Sequence, residues 1–368
     1  MIDSYEEELG ELRTLAHEFD RSTREVLGRV REARSHLGAP DPPIAFVHIP
    51  KTAGSTALNM LGRAYQKDAM ADAKNFITGP EKVVNKLRTA QDSWSRRGVR
   101  LVAGHVPYSI FHQYLAPGTR YMTFLREPVD RVLSHYYRHI HNPDARDDLA
   151  ARVKRYRDDG TAPAASLEEA LVDMRMIQLR NLCTRFLCGH PSPTDELPEG
   201  SLAEAKANLR EFIFVGIQER FEESIVLLQR RLGIGLLPYW NRHVSVGRPG
   251  VDEIPAEQRS LIEAENRLDI ELYEFATEVF EEAVRAEGET FSRDVESLQA
   301  LAVDANEEAV QKAQEWLEGK LPPGSVKLTN ELRGEGIEAG FHAAVLKNAR
   351  TRVEHARRGP GRSPAQPA

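Results

Sequence analysis

Cysteine is almost missing from this chain: Cys183 and Cys188 are the only two in 368 residues. That excludes a disulfide-stapled fold and fits a chain kept in a reducing compartment, with both cysteines as ordinary thiols. Long apolar runs are missing as well. Nothing approaches the ~18 consecutive apolar residues of a membrane span. The first residues are acidic (Asp3, Glu6, Glu7, Glu8), the wrong charge for a secretory leader. The expectation is a soluble, cytoplasmic protein. Positive charge is not in excess, since the formal net charge is −7. A nucleic-acid partner is therefore not expected; local basic clusters instead suit a compact anionic ligand. There is no G-x-x-x-x-G-K-[ST] phosphate loop and no H-E-x-x-H zinc motif. His135 and His139 stand four apart on a helical pattern, but without that motif they predict no metal site.

What is present divides the chain into blocks. Tyr5, Leu9, Leu12, Ala16, Phe19, Thr23, Val26, Val30, Ala33 and Leu37 step by four and three, a heptad stripe over residues 1–39. It reads either as a dimerising coiled coil or as one helix laid on the following domain; Ala16, Thr23 and Ala33 make a weak seam. Gly38, Pro40, Pro42 and Pro43 end it. From 44 to 290 strand and helix signals alternate, which predicts an α/β fold: a central, mainly parallel sheet flanked by helices. Short apolar runs at 44–48, 99–103, 120–125 and 212–217 are the strand candidates. Residues 141–200 are polar and rich in Asp, Arg, Pro and Gly, with a helical stretch from Leu167 to Leu187, and read as an acceptor-side insertion. A helical appendage is expected over 291–356, and a disordered tail from 357 to 368.

Three constellations carry chemistry. The first is the turn Pro50-Lys51-Thr52-Ala53-Gly54-Ser55-Thr56, between an apolar strand and the helical restart at Leu58. A strand that breaks into such a turn and opens a helix converges backbone N–H groups on one point, an arrangement suited to phosphate or sulfate. An ordinary N-cap with Lys51 in solvent is the bland alternative. The second runs from Phe124 to Tyr137. A strand ends at Arg126, the edge where open α/β sheets bind ligands. Pro128 starts a helix, and Arg126 with Ser134 can hold one phosphate, a fork plus a hydroxyl. Arg131 and Arg138 read as a solvated helix face. The third is Val102-Ala103-Gly104-His105-Val106-Pro107-Tyr108, where an imidazole on the sheet rim can serve as general base near neutral pH, or be purely structural.

In this order the three blocks resemble the carbohydrate sulfotransferase family that includes heparan sulfate 2-O-sulfotransferase. The turn His48 to Thr56 looks like that family's 5′-phosphosulfate loop, the run Leu125 to Tyr137 like its 3′-phosphate block, and Gly104-His105-Val106 like the segment with its proposed base. Val215 to Phe221 and Leu268 to Tyr273 look like further signatures. Animal members carry a membrane anchor and work in the Golgi, which this sequence does not mirror. The resemblance implies 3′-phosphoadenosine-5′-phosphosulfate (PAPS) as co-substrate and no required metal. Lys51 would neutralise the leaving oxygen, and Lys51, Thr52, Ala53, Gly54, Ser55 and Thr56 would cradle the 5′-phosphate. Arg126 and Ser134 would clamp the 3′-phosphate, and His105 would deprotonate the acceptor hydroxyl of a saccharide or small molecule. A P-loop-type nucleotide kinase, or a non-catalytic scaffold dimerised through the N-terminal helix, are the competing readings.

Overall fold

The computed structural model describes residues 42–65, 69–77, 79–141, 149–159, 163–189, 196–239 and 248–301. The heptad segment, most of the C-terminal appendage and the tail lie outside the described residues. Five strands form one sheet in the order β2-β3-β1-β4-β5, with helices between them, the α/β architecture expected from the sequence. Its strands are β1 (Ile44–Val47), β2 (Met70–Asn75), β3 (Leu101–His105), β4 (Tyr121–Leu125) and β5 (Phe214–Ile217). β1 and β2 both pair in parallel with β3. Among the described residues no helix is long and apolar enough to cross a membrane.

Four strands fall on the apolar runs, and each is buried along its length up to its end. Two corrections apply. β3 starts two residues later than expected and keeps Gly104 in the ladder opposite Val47, so His105 is the last strand residue, not a loop residue behind it. β2 was not anticipated. Its sequence, Met-Ala-Asp-Ala-Lys-Asn, has no β-branched or aromatic residue to announce a strand. It survives at the sheet edge, with small Ala71 and Ala73 buried and the register shifted between Asp72 and Lys74.

The described residues fall into two compact units, the first within the spans Met1–His48, Tyr65–Met122 and Arg185–Ile213, the second within Ile49–Ala64, Thr123–Thr184 and Phe214–Ala368. In the first, the ladder reaches across β1, since Ile44 N–H donates to Arg100 O and Ala45 N–H to Arg120 O, both at 2.8 Å. Helices α2 (Pro80–Arg96) and α3 (Tyr108–Tyr114) cover it; Pro80 opens α2 at a position where no intrahelical donor is missed.

The second unit holds α1 (Gly54–Ala64) and α4 (Pro128–His135). α4 packs Val129, Val132 and Leu133 into a cluster with Leu167, Leu171, Met176 and Ile262. The stretch from Leu167 to Leu187, expected as one helix, is broken into a π turn (Glu169–Asp173), a 3₁₀ turn (Ile177–Leu179) and α6 (Leu182–Leu187), with α5 (Leu149–Asp159) before it. Arg175 and Asn181 take left-handed backbone at these breaks. β5 needs a glycine: a β-carbon at Gly216 would sit 2.5 Å from the Phe124 ring. After α7 (Ser201–Glu211) in the first unit, the second adds α8 (Phe221–Leu232), α9 (Ala256–Glu265) and α10 (Arg267–Arg285). Helical residues 290–301 follow after a short turn and meet α8 through Arg230, which donates to Asp294 and to Glu287 of the turn, its guanidinium 5.3 Å over the Phe291 ring.

Candidate active site

The turn after β1 is strained. Lys51 and Ala53, neither of them glycine, sit at φ 72° and 65°. Left-handed backbone costs an L-residue about 1–2 kcal/mol each, so something must hold the turn. Part of the hold is Thr52, fully buried, whose hydroxyl donates to Ile49 O at 2.9 Å. Ala53 O accepts the N–H groups of Thr56 and Ala57, which starts α1 at Gly54. Ser55 and Thr56 therefore lie inside the first turn of α1, not at its cap. Left-handed backbone at Lys51 and Ala53, followed by the amino end of α1, is the kind of turn whose free N–H groups can cradle an oxyanion.

Arg126 closes on the same turn, its Nη1 donating to Lys51 O at 3.2 Å. Its Nε donates to Asp130 at 2.7 Å and its Nη2 to the same carboxylate. Asp130 also takes Arg248 Nη2 at 2.6 Å on its other oxygen. Arg138, exposed on the π turn Tyr136–Ile140 that extends α4, completes the group. Lys51 registers all of it: burial, then the charges of Arg138, Arg126 and Arg248, lower its pKa from 10.5 to about 8. Three guanidinium charges thus act on Lys51, and only two of them are paired to Asp130, an arrangement that favours an added anion.

Helix α4 carries Asp130, and its start is braced from several sides. Glu127 caps it, accepting from Val129 N–H at 3.0 Å and Asp130 N–H at 2.7 Å. Glu127 N–H in turn donates to Glu219 at 2.9 Å, and Tyr273 O–H to the other Glu219 oxygen at 2.8 Å. Glu219 and Tyr273 belong to the two further signature stretches, which thus brace the start of α4. Ser134 is buried in the last turn of α4. Arg131 overturns its reading as part of a solvated face: it is fully buried, donates to Gln178 O at 2.9 Å, and lies 4.0 Å from the equally buried Asp269. Arg138 does face solvent, yet its charge acts on Lys51. Arg248 was missed, because nothing in its local sequence marks it; its role exists only through Asp130.

His105 belongs to the first unit. Its Nδ1 lies 2.6 Å from His48 O, and a carbonyl can only accept, so Nδ1 bears the proton and Nε2 keeps its lone pair. The two imidazoles lie 4.4 Å apart, and His48 stacks on Phe46 at 5.4 Å. Burial lowers the His105 pKa, opposed by the His48 hydrogen bond and by Asp72. His48 is held well below its usual range by burial and by His105. Both rings are neutral near pH 7, and His105 presents a basic Nε2. Among the described residues no group of three metal-ligating side chains occurs.

The chain is similar in sequence to known carbohydrate sulfotransferases. The galactose-3-O-sulfotransferase family matches residues 14–314, a span that takes in most of the N-terminal stripe and the helix beyond 290. The chain is 26% identical over 273 residues to heparan-sulfate 6-O-sulfotransferase 3-B of Danio rerio (65% of this chain, 64% of the relative). It is 26% identical over 199 residues to heparan sulfate 2-O-sulfotransferase hst-2 of Caenorhabditis elegans (50% and 59%). It is 25% identical over 265 residues to heparan sulfate 2-O-sulfotransferase 1 of Homo sapiens (66% and 71%). The chain thus spans somewhat under two thirds of the first two of these relatives.

Proposed function

The chain belongs to the galactose-3-O-sulfotransferase family, and from that premise we propose that it moves a sulfuryl group from PAPS to a saccharide hydroxyl. The observation that carries this reading is Lys51 under the charges of Arg126, Arg138 and Arg248, with Arg126 and Arg248 sharing Asp130, on a turn held in left-handed backbone. PAPS supplies an activated sulfuryl group on a phosphate leaving group and a separate 3′-phosphate. Lys51 meets the charge that builds on the bridging oxygen as the S–O bond breaks. Gly54 and Ser55 N–H groups hold the 5′-phosphate, with Thr52 positioning the turn. Arg126 and Ser134, with Arg248 alongside, take the 3′-phosphate.

His105 takes the acceptor proton on Nε2 while the acceptor oxygen bonds to sulfur, and the nucleotide leaves as adenosine 3′,5′-bisphosphate. The heparan sulfate named in the relatives makes a hexose hydroxyl on a glycan the first acceptor class to test.

Calorimetric titration tests the donor site. Adenosine 3′,5′-bisphosphate should bind wild type, and Arg126→Ala should weaken it ~10–100-fold, the worth of about 1.5–3 kcal/mol for a charged hydrogen bond. ADP, which lacks the 3′-phosphate, should be little affected by that change. Equal binding of the bisphosphate by both proteins would remove Arg126 from the site.

A pH series gives a second, independent result. The Lys51 ammonium favours the anion and is lost as pH rises through about 8. Affinity should be flat between about pH 7, where the phosphates are fully ionised, and about pH 8, and fall by up to about tenfold per unit above it. Lys51→Arg, which stays charged, should bind with no such fall; a flat wild-type profile to pH 10 (about two units past the pKa) would refute the assignment.

A further inference from the structure

The residues that lead into β1, β3 and β4 frame a cavity of about 410 Å³ in the first unit, lined by Pro42, Pro43, Tyr65, Trp94 and Leu115 together with Arg100 and Arg120. This is within the ~300–1,000 Å³ range of small-molecule sites. It is a different place from the catalytic rim. Arg100 lies one residue ahead of β3 and His105 ends it, so β3, at ~3.3 Å per residue, sets the two about 13 Å or more apart.

The walls and the rim differ in chemistry. Trp94 and Leu115 are buried, and the Tyr65 ring is largely so. Gln91, one turn before Trp94, spends its amide on the carbonyls of Leu87 and Tyr114, which ties α2 to the end of α3 and leaves the wall apolar. Arg100 and Arg120 are exposed at the mouth. Their backbone carbonyls are fixed on either side of β1 by Ile44 and Ala45. The Arg100 guanidinium lies 5.4 Å over the Tyr65 ring, and both arginines act on the Tyr65 hydroxyl, countering the upward shift that burial imposes on it. Among the described residues no Asp or Glu lines the cavity. Among the described residues neither arginine has a carboxylate partner.

We infer that this cavity is a second binding site, for a small amphipathic anion: an aromatic or alkyl body between Trp94, Tyr65 and Leu115, with a sulfate, sulfonate or carboxylate head between Arg100 and Arg120. The probe is 2-naphthyl sulfate, titrated calorimetrically into the full chain, with 2-naphthol as its uncharged counterpart. The expected result is saturable binding of the sulfate, with the naphthol at least about tenfold weaker. The double variant Arg100→Glu/Arg120→Glu should lose about tenfold or more in affinity, and the gentler Arg100→Gln/Arg120→Gln should lose in the same direction. Arg126→Ala should bind the probe as wild type does. Absence of saturable binding up to low millimolar probe, or unchanged affinity in both double variants, would overturn the site. Loss of binding in Arg126→Ala would overturn it too, by placing the probe among the donor-site residues.

Discussion

Substituting His105 by alanine is expected to lower kcat by about 10²–10⁴-fold, the usual worth of a positioned general base, and to leave nucleotide affinity unchanged. The reason lies in the tautomer. With Nδ1 donating to His48 O at 2.6 Å, the only lone pair the ring can offer is on Nε2. Burial, the largest influence on its pKa, keeps the ring neutral at working pH. Wild-type kcat/KM should therefore be limited on the acid side, where protonation fills Nε2, and the residual activity of His105→Ala should lose that limb. Asparagine at the same position restores polarity without basicity and should not restore the rate. A non-catalytic scaffold requires the opposite, a function untouched by His105→Ala. Single-turnover transfer measured across pH separates the two.

The second large effect is on stability. Asp269→Ala should destabilise the fold by about 3–5 kcal/mol, the cost of stranding a buried charge. Asp269 is fully buried. It accepts the N–H groups of Cys183 and Thr184 at 2.9 and 2.8 Å and the Thr184 hydroxyl at 2.8 Å, which caps α6 from α10. It is also the carboxylate nearest the buried Arg131, two of whose nitrogens have no hydrogen-bond partner of their own. Removing the carboxylate leaves a guanidinium and two amide donors unsatisfied at once. Asp269→Asn keeps one acceptor and should cost less. Urea unfolding followed by circular dichroism measures both. A midpoint for Asp269→Ala within error of wild type would show that the Arg131–Asp269 contact carries no stabilising weight.

These two residues also mark where sequence reading succeeds and where it stops. Strand runs such as Ile44 to Val47 and Tyr121 to Leu125 are legible because a strand buried on both faces must be apolar throughout. The turn at Lys51 and the helix opened by Pro128 are legible because their chemistry is local. Arg131 is not: an arginine on an amphipathic helix normally faces water, and only Asp269, far along the chain, reveals why this one is buried. Arg248 is hidden for the same reason, its meaning coming from Asp130. β2 has no pattern of its own and takes its conformation from β3.

Mixing the purified chain with sulfur-labelled PAPS and a panel of unsulfated saccharides tests the central claim most directly. The account predicts label on a saccharide hydroxyl, formation of adenosine 3′,5′-bisphosphate in equal amount, and loss of both with Lys51→Ala or His105→Ala. No binding of PAPS by wild type, or transfer that persists undiminished in both variants, would contradict it.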